Sequence, residues 1–267
     1  MDGVEMLPKR VLITGGAQRL GALLCREFAH AGWEVWCHYQ RSGDLAHALV
    51  EELRTAGFSA YAVQADLALQ EQRLRMMEQI AAQGGPLTCL VNNASLFEED
   101  AADALNLDLV RRQLEVNLLA PLSLSALMVK CLSADAGPGD CSIVHVLDQK
   151  VFNLNPDYFS YTVSKLALER SVALQAQALA PQLRVCGVAP GLMFLSGPQT
   201  QENFERSGRV NLMQTAIDPQ RVAQTVLFLA ENPCITGVSL CVDNGQHLVP
   251  LARDVMYALA DNRTSSP

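Results

Sequence analysis

The sequence predicts an α/β fold, with one domain built on a doubly wound parallel sheet of seven strands. Seven short apolar runs rich in β-branched residues alternate with segments of helical character. This alternation is typical of a parallel sheet whose two faces are both covered by helices. The 267 residues suit a single large domain, and no internal repeat or linker marks a second one. We therefore expect residues 1–267 to form one domain.

The predicted strands are the apolar runs, and the segments between them carry helical stripes. The stripe that includes Leu20 and Phe28 follows the first strand, and Leu45, Leu49 and Leu53 form a second stripe after the second strand. The predicted strands cover residues 10–14, 34–39, 59–64, 87–92, 141–147, 183–188 and 238–243.

The composition and charge of the chain limit the kinds of molecule that we expect it to bind. Hydrophobic residues make up 49% and charged residues 18% of the chain, as in an ordinary globular protein. The net charge of -8 argues against a nucleic-acid partner. The apolar run after Lys9 and Arg10 ends at Ile13, which is too short for an export signal or a membrane span. We expect a cytoplasmic protein with no membrane partner.

The cysteines indicate neither a disulfide scaffold nor a metal site. They are far apart, no two form a Cys-x-x-Cys pair, and several lie in the apolar strand-like runs. We interpret them as small buried hydrophobic residues in a reducing compartment, and we expect no bound metal. The eight are Cys25, Cys37, Cys89, Cys131, Cys141, Cys186, Cys234 and Cys241.

A glycine-rich turn between the first strand and the first helix indicates a dinucleotide site. It contains Gly15, Arg19, Leu20 and Gly21, in the spacing Gly-x-x-x-Arg-x-Gly. Backbone amides and a helix N-terminus at such a turn can face a pyrophosphate. The spacing differs from Gly-x-Gly-x-x-Gly, and a turn of this kind also needs glycine for geometry alone.

The end of the second strand favours NADP(H) over NAD(H). An acid here would accept hydrogen bonds from the adenosine ribose, but the chain has Tyr39, Gln40, Arg41 and Ser42. A guanidinium and a hydroxyl suit the 2′-phosphate of NADP(H), because arginine binds phosphate in a bidentate manner. The alternative is a solvated loop arginine.

The stretch 144–165 carries the candidate catalytic residues Asp148, Tyr161 and Lys165. Tyrosine and lysine four residues apart lie on one face of a helix. A nearby cation favours the phenolate, so we expect Lys165 to lower the pKa of Tyr161 and make it a better proton donor. The same spacing also occurs by chance in many helices.

Several short motifs, taken in order, resemble the short-chain dehydrogenase/reductase family from Arg10 to about Leu248. The resemblance implies that Asp66 and Leu67 lie near the adenine and that Asn117 supports a proton relay to Lys165. The motifs are Thr14-Gly15 with Gly21, Asp66, Asn92-Asn93-Ala94, Asn117, Tyr161 with Lys165, and Pro190-Gly191.

The resemblance also assigns the remaining cofactor contacts. Asn93, Ala94 and Ser95 are implied to line the path of the cofactor, and Lys165 to hold the nicotinamide ribose. The full implied set for the cofactor is Gly15, Arg19, Leu20, Gly21, Tyr39, Gln40, Arg41, Ser42, Asp66, Leu67, Asn93, Ala94, Ser95, Tyr161, Lys165, Pro190 and Gly191.

Departures from the general family pattern are similar to the pteridine reductase and dihydromonapterin reductase branch. Most family members have serine where Asp148 stands, and glycine where Arg19 and Ser95 stand. The resemblance implies that Asp148 and Tyr161 serve a pterin, that Arg19 reaches the substrate and the cofactor phosphates, and that Phe97 stacks on the pterin ring.

The chemistry of a pterin agrees with these residue types. Its amino and ring N–H groups can donate to Asp148, and its flat ring suits stacking against Phe97. Hydride would pass from NADPH to a ring carbon, while Tyr161 or a water held by Asp148 supplies the proton. A reductase of a ketone or 3-oxoacyl substrate predicts serine at position 148. A non-catalytic NADP-binding protein predicts loss of Tyr161 or Lys165.

Two segments near the C-terminus receive separate predictions. Residues 192–215 are expected to form the substrate loop, in which Met193 replaces a serine found in some pteridine reductases. Residues 249–267 form a C-terminal extension that we expect to pack on a neighbouring subunit, because the resembling family is mostly tetrameric. A homotetramer follows from the resemblance, and residues 261–267 are expected to be a loose tail.

Overall fold

The computed structural model describes residues 7–197 and 199–258, which form a seven-stranded parallel sheet with helices on both faces. The predicted fold class is confirmed. All seven predicted strands are present, and only β6 extends past its predicted end, to Pro190. The strands are β1 (Arg10–Ile13), β2 (Glu34–Tyr39), β3 (Ala60–Gln64), β4 (Cys89–Asn92), β5 (Cys141–Val146), β6 (Leu183–Pro190) and β7 (Ser239–Val242).

The helices connect successive strands. A π-helix at Glu115–Leu119 joins two of them, and 3₁₀ turns lie at Gln149–Val151 and Gln246–Leu248. The α-helices of the described residues are α1 (Arg19–His30), α2 (Gly43–Thr55), α3 (Gln70–Gly84), α4 (Leu107–Leu114), α5 (Ala120–Lys130), α6 (Phe159–Leu179), α7 (Gln201–Ser207), α8 (Pro219–Glu231) and α9 (Val255–Ala258). None of them is long and apolar enough to cross a membrane.

The strand order β3-β2-β1-β4-β5-β6-β7 reverses direction beside β1. β1 pairs with β2 on one side and with β4 on the other. The connection after β1 therefore runs towards one edge of the sheet, and the connection after β4 runs towards the other edge. In such sheets a crevice opens outside the carboxyl ends of the strands at this switch point. The fold therefore places the glycine turn after β1 beside the loop after β4.

Side chains of the central strands are buried on both faces of the sheet. Val11 and Ile13 pack with α1 and α8 on one face, and Leu12 packs with α3 and α5 on the other. The stripe predicted for α2 is only partly right, because Leu45 is 51% exposed. The buried face of α2 is Ala46, Leu49, Val50 and Leu53, whose spacing follows the helical repeat more closely.

The described part of the C-terminal extension packs against the same chain. Asn203 Nδ2 donates to the Met256 carbonyl at 3.0 Å, and Ser207 Oγ donates to the Val255 carbonyl at 3.3 Å. Arg253 forms a salt bridge with Asp157 at 2.9 Å. Up to residue 258 the extension therefore contacts α7 and the loop before α6, while its packing on a neighbouring subunit stays a prediction. The loose tail predicted at 261–267 lies outside the described residues.

We predict that Gly21→Ala destabilises the fold far more than Gly32→Ala. A Cβ at position 21 would overlap the backbone carbonyl of Gly15, which cannot move without opening the turn. Gly32 has φ +81° and open space around it, so alanine there adds only the strain of a left-handed residue, about 1–2 kcal/mol. Urea unfolding should show a loss of about 3 kcal/mol or more for Gly21→Ala. Equal losses for the two variants would contradict the predicted clash.

Candidate active site

A cavity of about 510 Å³ opens at the carboxyl ends of the strands and brings most of the predicted site together. Asp66, Leu67 and Asn117 are the predicted site residues that do not line it. Those that do are Gly15, Arg19, Leu20, Gly21, Tyr39, Gln40, Arg41, Ser42, Asn93, Ala94, Ser95, Phe97, Asp148, Tyr161, Lys165, Pro190 and Gly191.

The glycine turn has the features of an anion cradle. Gly15 has φ +63°, and α1 packs so closely on the turn that position 21 has no room for a Cβ. The N-cap residue Gln18 makes no side-chain hydrogen bond to α1, and the first turn of the helix carries no acid. The positive end of the helix dipole therefore faces the cavity without a competing carboxylate, which suits a pyrophosphate.

Arg19 connects this turn to the predicted substrate loop. It is the first residue of α1 and has φ +50°, a left-handed conformation that is unfavourable for arginine. Its exposed guanidinium donates from Nη2 to the carbonyl of Leu195 at 3.1 Å. This position at the wall of the cavity is compatible with contacts to the substrate and to phosphates, which stay predictions.

Thr14 joins the turn after β1 to the loop after β4. Its Oγ1 accepts from the amides of Asn93 at 2.9 Å and Ala94 at 3.0 Å. In the other direction, Asn93 Nδ2 donates to the carbonyls of Thr14 and Gly15. The two loops at the switch point are therefore held as one rigid unit.

His38 has a structural role that the sequence did not reveal. The Gly15 amide donates to His38 Nδ1 at 3.0 Å, so Nδ1 is an acceptor and Nε2 carries the proton that is donated to the Ala65 carbonyl at 3.1 Å. Burial lowers the pKa of His38 to about 4, against opposing contributions from Ala65 and Asp66. A neutral imidazole thus ties the glycine turn to the ends of β2 and β3.

The residues after β2 form the outer end of the cavity. Arg41 is exposed, and among the described residues its guanidinium has no hydrogen-bond or salt-bridge partner. Ser42 is the N-cap of α2 but makes no side-chain capping bond. Both groups are therefore available to a phosphate.

Asp66 and Leu67, which follow β3, are predicted to lie near the adenine. Asp66 accepts a hydrogen bond from the Ala68 amide, and Leu67 is buried in the core, so their contacts with an adenine stay predictions.

Asp148, Tyr161 and Lys165 meet where β5 ends beside α6. Asp148 Oδ1 accepts from the Lys150 amide at 2.8 Å, which caps the 3₁₀ turn, and Oδ2 accepts from the Tyr161 hydroxyl at 2.8 Å. Lys165 Nζ donates to the carbonyl of Val146 at 2.8 Å and lies 5.8 Å from the ring centre of Tyr161. The three predicted catalytic groups therefore form one cluster.

The expected lowering of the Tyr161 pKa is wrong, because burial and Asp148 outweigh the charge of Lys165. Burial, and after it the Asp148 carboxylate, raises the pKa of Tyr161 well above its ordinary value. Burial also raises the pKa of Asp148, although the hydrogen bonds it accepts and the charges of Lys150 and Lys165 oppose this. Burial lowers the pKa of Lys165 to about 8, against an opposing effect of Asp148. Tyr161 is consequently a protonated donor throughout the neutral range.

Asn117 lies in the π-helix behind the catalytic cluster, and its side chain is buried. Its Oδ1 accepts from the Leu96 amide at 2.7 Å and from Ser95 Oγ at 3.2 Å. Its Nδ2 donates to the Leu96 carbonyl and to Ser164 Oγ. These contacts connect the loop after β4 to α6, while the relay from Asn117 to Lys165 stays a prediction.

Phe97 stands at the mouth of the cavity beside Tyr161. Its ring stacks on Tyr158 with 4.1 Å between ring centres and meets Tyr161 edge to face at 4.7 Å. The ring is 37% exposed. Tyr158, which the sequence did not single out, supports Phe97 from behind and has its hydroxyl 3.3 Å from that of Tyr257. Stacking of Phe97 on a substrate stays a prediction.

Residues distant in sequence complete the wall of the cavity. Lys150 is almost fully buried and forms a salt bridge with Asp254 at 3.1 Å. Gln246 Oε1 accepts from the Leu192 amide at 2.9 Å and lies against Gly191, where a Cβ would not fit. No local sequence pattern marks these pairs, because each joins segments more than 50 residues apart.

Comparisons with known proteins agree with this geometry. A family model described as short chain dehydrogenase matches residues 9–206. A dihydromonapterin reductase of Citrobacter koseri is 27% identical over 241 residues, covering 90% of this chain and 98% of that protein. The crystal structure of FolM alternative dihydrofolate reductase 1 from Brucella canis, complexed with NADP, is 38% identical and superposes with a TM-score of 0.86, covering 92% of this chain and 97% of that one. The structure of angucycline C-6 ketoreductase LanV with bound NADP is 25% identical, with a TM-score of 0.82 and coverage of 90% and 96%.

We predict that His38→Gln removes part of the acid sensitivity of the fold. The unfolded chain binds a proton at His38 below about pH 6.5 and the folded protein only below about pH 4, so stability falls as pH decreases through this window. The difference amounts to about 3 kcal/mol per histidine. Glutamine retains an acceptor for the Gly15 amide and a donor for Ala65 but does not titrate.

Denaturant unfolding between pH 7.5 and 4.5 measures this difference. The variant should match the wild type at pH 7.5 to within about 1 kcal/mol and lose stability less steeply on acidification. The variant should still lose some stability as the pH falls, because burial also lowers the pKa of His145 to about 4. Identical slopes for the two proteins would show that His38 is not held neutral.

Proposed function

The chain belongs to the short-chain dehydrogenase family, and on this basis we propose that it is an NADPH-dependent reductase of a dihydropterin, such as dihydrobiopterin, dihydromonapterin or dihydrofolate. The observation that carries the substrate class is the Asp148 carboxylate at the cavity wall, hydrogen-bonded by Tyr161. A pair consisting of an acceptor and a proton donor matches a ring that carries both N–H groups and a C=N bond.

The residues present fit NADP(H). The turn at Gly15 and Gly21 and the N-terminus of α1 suit the pyrophosphate. Arg41, which has no partner within the described part of the chain, suits a 2′-phosphate together with Ser42. Lys165 uses one of its three N–H donors on Val146, which leaves two for a ribose. When bound, NADPH supplies the hydride for the reduction.

Tyr161 is the proposed proton donor. The direction of its O–H bond depends on whether Asp148 accepts from it. In the free protein the phenol donates to Asp148 Oδ2. A substrate N–H that donates to the same carboxylate replaces the phenol there, and the O–H turns to the substrate nitrogen. The positive charge of Lys165 then stabilises the phenolate left behind, and water in the cavity restores the proton.

Residues 192–215 are the proposed substrate loop. Met193, Phe194, Ser196 and Gln199 of this segment line the cavity, and Arg19 reaches it through Leu195. The segment also contains α7, so it is less irregular than its composition implied. Met193 and Phe194 give this side of the cavity an apolar surface suited to a flat ring.

Two further proposals concern the state of the protein in the cell. Cytoplasmic residence is supported by the cysteines of the described residues, which are free thiols and mostly buried, as in a reducing compartment. A homotetramer is proposed from the resemblance to a family that is mostly tetrameric.

Reduction of a ketone is the second candidate, because the fold and cofactor of the ketoreductase LanV are close to those proposed here. A ketone carbonyl needs a hydrogen-bond donor, and the Asp148 carboxylate offers only acceptors while it is ionised. Asp148 therefore counts against this reading. A non-catalytic role is disfavoured by the intact pair of Tyr161 and Lys165.

We predict that the purified protein oxidises NADPH with dihydrobiopterin, dihydromonapterin or dihydrofolate and shows little turnover with simple ketones. Absorbance at the NADPH band measures both reactions. Tyr161→Phe should decrease turnover by about 10²–10⁴-fold and leave NADPH affinity nearly unchanged, because only the proton donor is lost. Oxidation of NADPH with ketones alone would refute the pterin assignment.

Asp148→Ser is the matched test of substrate class, because it installs the residue found in most of the family. Pterin turnover should decrease by at least about tenfold, since the carboxylate that accepts the substrate N–H is gone. NADPH affinity should change little. Pterin turnover at the wild-type level would show that Asp148 only caps the 3₁₀ turn and does not bind the substrate.

Arg41→Ala should decrease the preference for NADPH over NADH. The guanidinium lies at the outer end of the cavity and has no partner among residues 7–197 and 199–258. A charge-assisted bond to phosphate is worth about 1.5–3 kcal/mol, or about 10–100-fold in affinity. Fluorescence titration should show weaker binding of NADPH and unchanged binding of NADH. Equal weakening of both cofactors would indicate a structural role for Arg41.

A further inference from the structure

A buried positive charge lies in the wall of the cavity, two residues after Asp148. Lys150 belongs to the 3₁₀ turn at Gln149–Val151, and its side chain is only 3% exposed although the residue lines the cavity. A lysine is rarely buried to this degree unless it is paired or belongs to a functional site. Neither the proposed cofactor contacts nor the proposed proton transfer uses this ammonium.

Contacts at both ends of Lys150 hold its charge beside Asp148. Nζ donates to Asp254 Oδ2 at 3.1 Å and lies 5.3 Å from the ring centre of Tyr158. The carboxylate of Asp157 also faces this ammonium. At the other end of the residue, the Lys150 amide donates to Asp148 Oδ1 at 2.8 Å. The 3₁₀ turn therefore keeps the ammonium near the carboxylate that caps it.

Charged and titratable groups face Asp148 from two elements. Lys150 faces it from the 3₁₀ turn, and Tyr161 and Lys165 face it from α6. Burial raises the pKa of Asp148, whereas the hydrogen bonds that it accepts and the charges of Lys150 and Lys165 oppose this rise. The pKa of Tyr161 is raised by burial, then by Asp148 and, to a smaller extent, by Asp254. Lys150 thus favours the ionised form of Asp148 against its burial.

The charge state of Asp148 decides which kind of substrate it can bind. An ionised carboxylate only accepts hydrogen bonds, which suits an N–H group of a dihydropterin. A protonated carboxyl carries an O–H donor, which suits the carbonyl of a ketone instead. Burial favours the protonated form, so a nearby cation is needed to keep the carboxylate ionised near neutral pH.

We propose that Lys150 is a positioning residue whose buried ammonium keeps Asp148 ionised, so that the carboxylate accepts from the N–H group of the substrate. This inference rests on the proposed function of the same cavity. Lys150 acts through Asp148 and does not itself touch the substrate. Asp254 holds the ammonium in place, which makes the C-terminal segment part of substrate recognition.

The experiment uses three variants of the buried pair and one matched control. Lys150→Met removes the charge, and Lys150→Arg retains it. The double variant Lys150→Met with Asp254→Asn removes both charges, so that no carboxylate is left without its cation. The control is Lys9→Met, because Lys9 also pairs with a carboxylate, that of Glu231 at 2.7 Å, and lies 5.7 Å from the ring centre of Trp33. Lys9 precedes β1 and is therefore at the opposite ends of the strands from the cavity.

Two measurements report the charge of Asp148. Its carboxyl resonance, assigned by its loss in Asp148→Ser, is titrated by carbon-13 NMR in the free protein, and kcat/KM with dihydromonapterin is measured over the same pH range. Without the charge of Lys150, in the single and the double variant, both acid transitions should move up by about one pH unit. On the acid side kcat/KM should then fall by up to about tenfold, with less than about threefold change at the top of the profile. Lys150→Arg and Lys9→Met should follow the wild type.

An unchanged titration of Asp148 in the variants that lack the charge of Lys150 would overturn the inference. So would a decrease of kcat/KM by the same factor at every pH, because a merely structural role lowers the whole profile without moving its acid limb. If Lys150→Met alone does not fold, the double variant decides. A wild type that reduces no dihydropterin would refute the proposed function, and the NMR titration would still show whether Lys150 keeps Asp148 ionised, so the two failures are distinguishable.

Discussion

The junction between the carboxyl ends of β1 and β4 is the constraint on which the rest of the cavity depends. Thr14 Oγ1 accepts two amides of the loop after β4, and Asn93 returns two hydrogen bonds to the turn after β1. The same turn is bound from the other side by the neutral imidazole of His38 and is packed against α1 at Gly21. Because the turn is held on three sides and its Gly15 and Gly16 amides already donate to His38, the start of α1 is the part preorganised for the proposed phosphate, and little conformational entropy remains to be lost on binding.

The catalytic cluster is governed by burial more than by proximity of charges. Burial raises the pKa of Asp148 and of Tyr161 and lowers that of Lys165. The shifts favour the protonated forms of Tyr161 and Asp148 and the neutral form of Lys165, so the phenol of Tyr161 keeps its proton near neutral pH. In the free protein the Tyr161 hydroxyl donates to Asp148, and in the proposed reaction a substrate N–H replaces this bond and frees the hydroxyl proton for transfer. Proton delivery is in this way coupled to recognition of an N–H group by the carboxylate.

The two sides of the cavity are built by different parts of the chain. The proposed cofactor side comes from the first half of the sheet, where turns between successive elements lie close in sequence. The proposed substrate side combines the segment after β6 with the C-terminal segment, and Asn203, Gln199 and Met256 connect them. The salt bridge between Lys150 and Asp254 joins the same C-terminal segment to the residue two positions after Asp148. Substitutions on the second side can therefore alter substrate preference without disturbing the glycine turn.

The sequence by itself determined the α/β class, the seven strands and about half of the residues that line the cavity. This was possible because strand alternation, the glycine turn and the Tyr161-Lys165 spacing depend on neighbours a few positions apart. The tertiary structure alone decided that Leu45 is exposed, that His38 supports the turn and that Lys150 pairs with Asp254. It also reversed the expected pKa shift of Tyr161, because that pKa depends on how deeply the phenol is buried and on the carboxylate it contacts. Burial and long-range contacts arise only when distant segments pack together, so no local pattern encodes them.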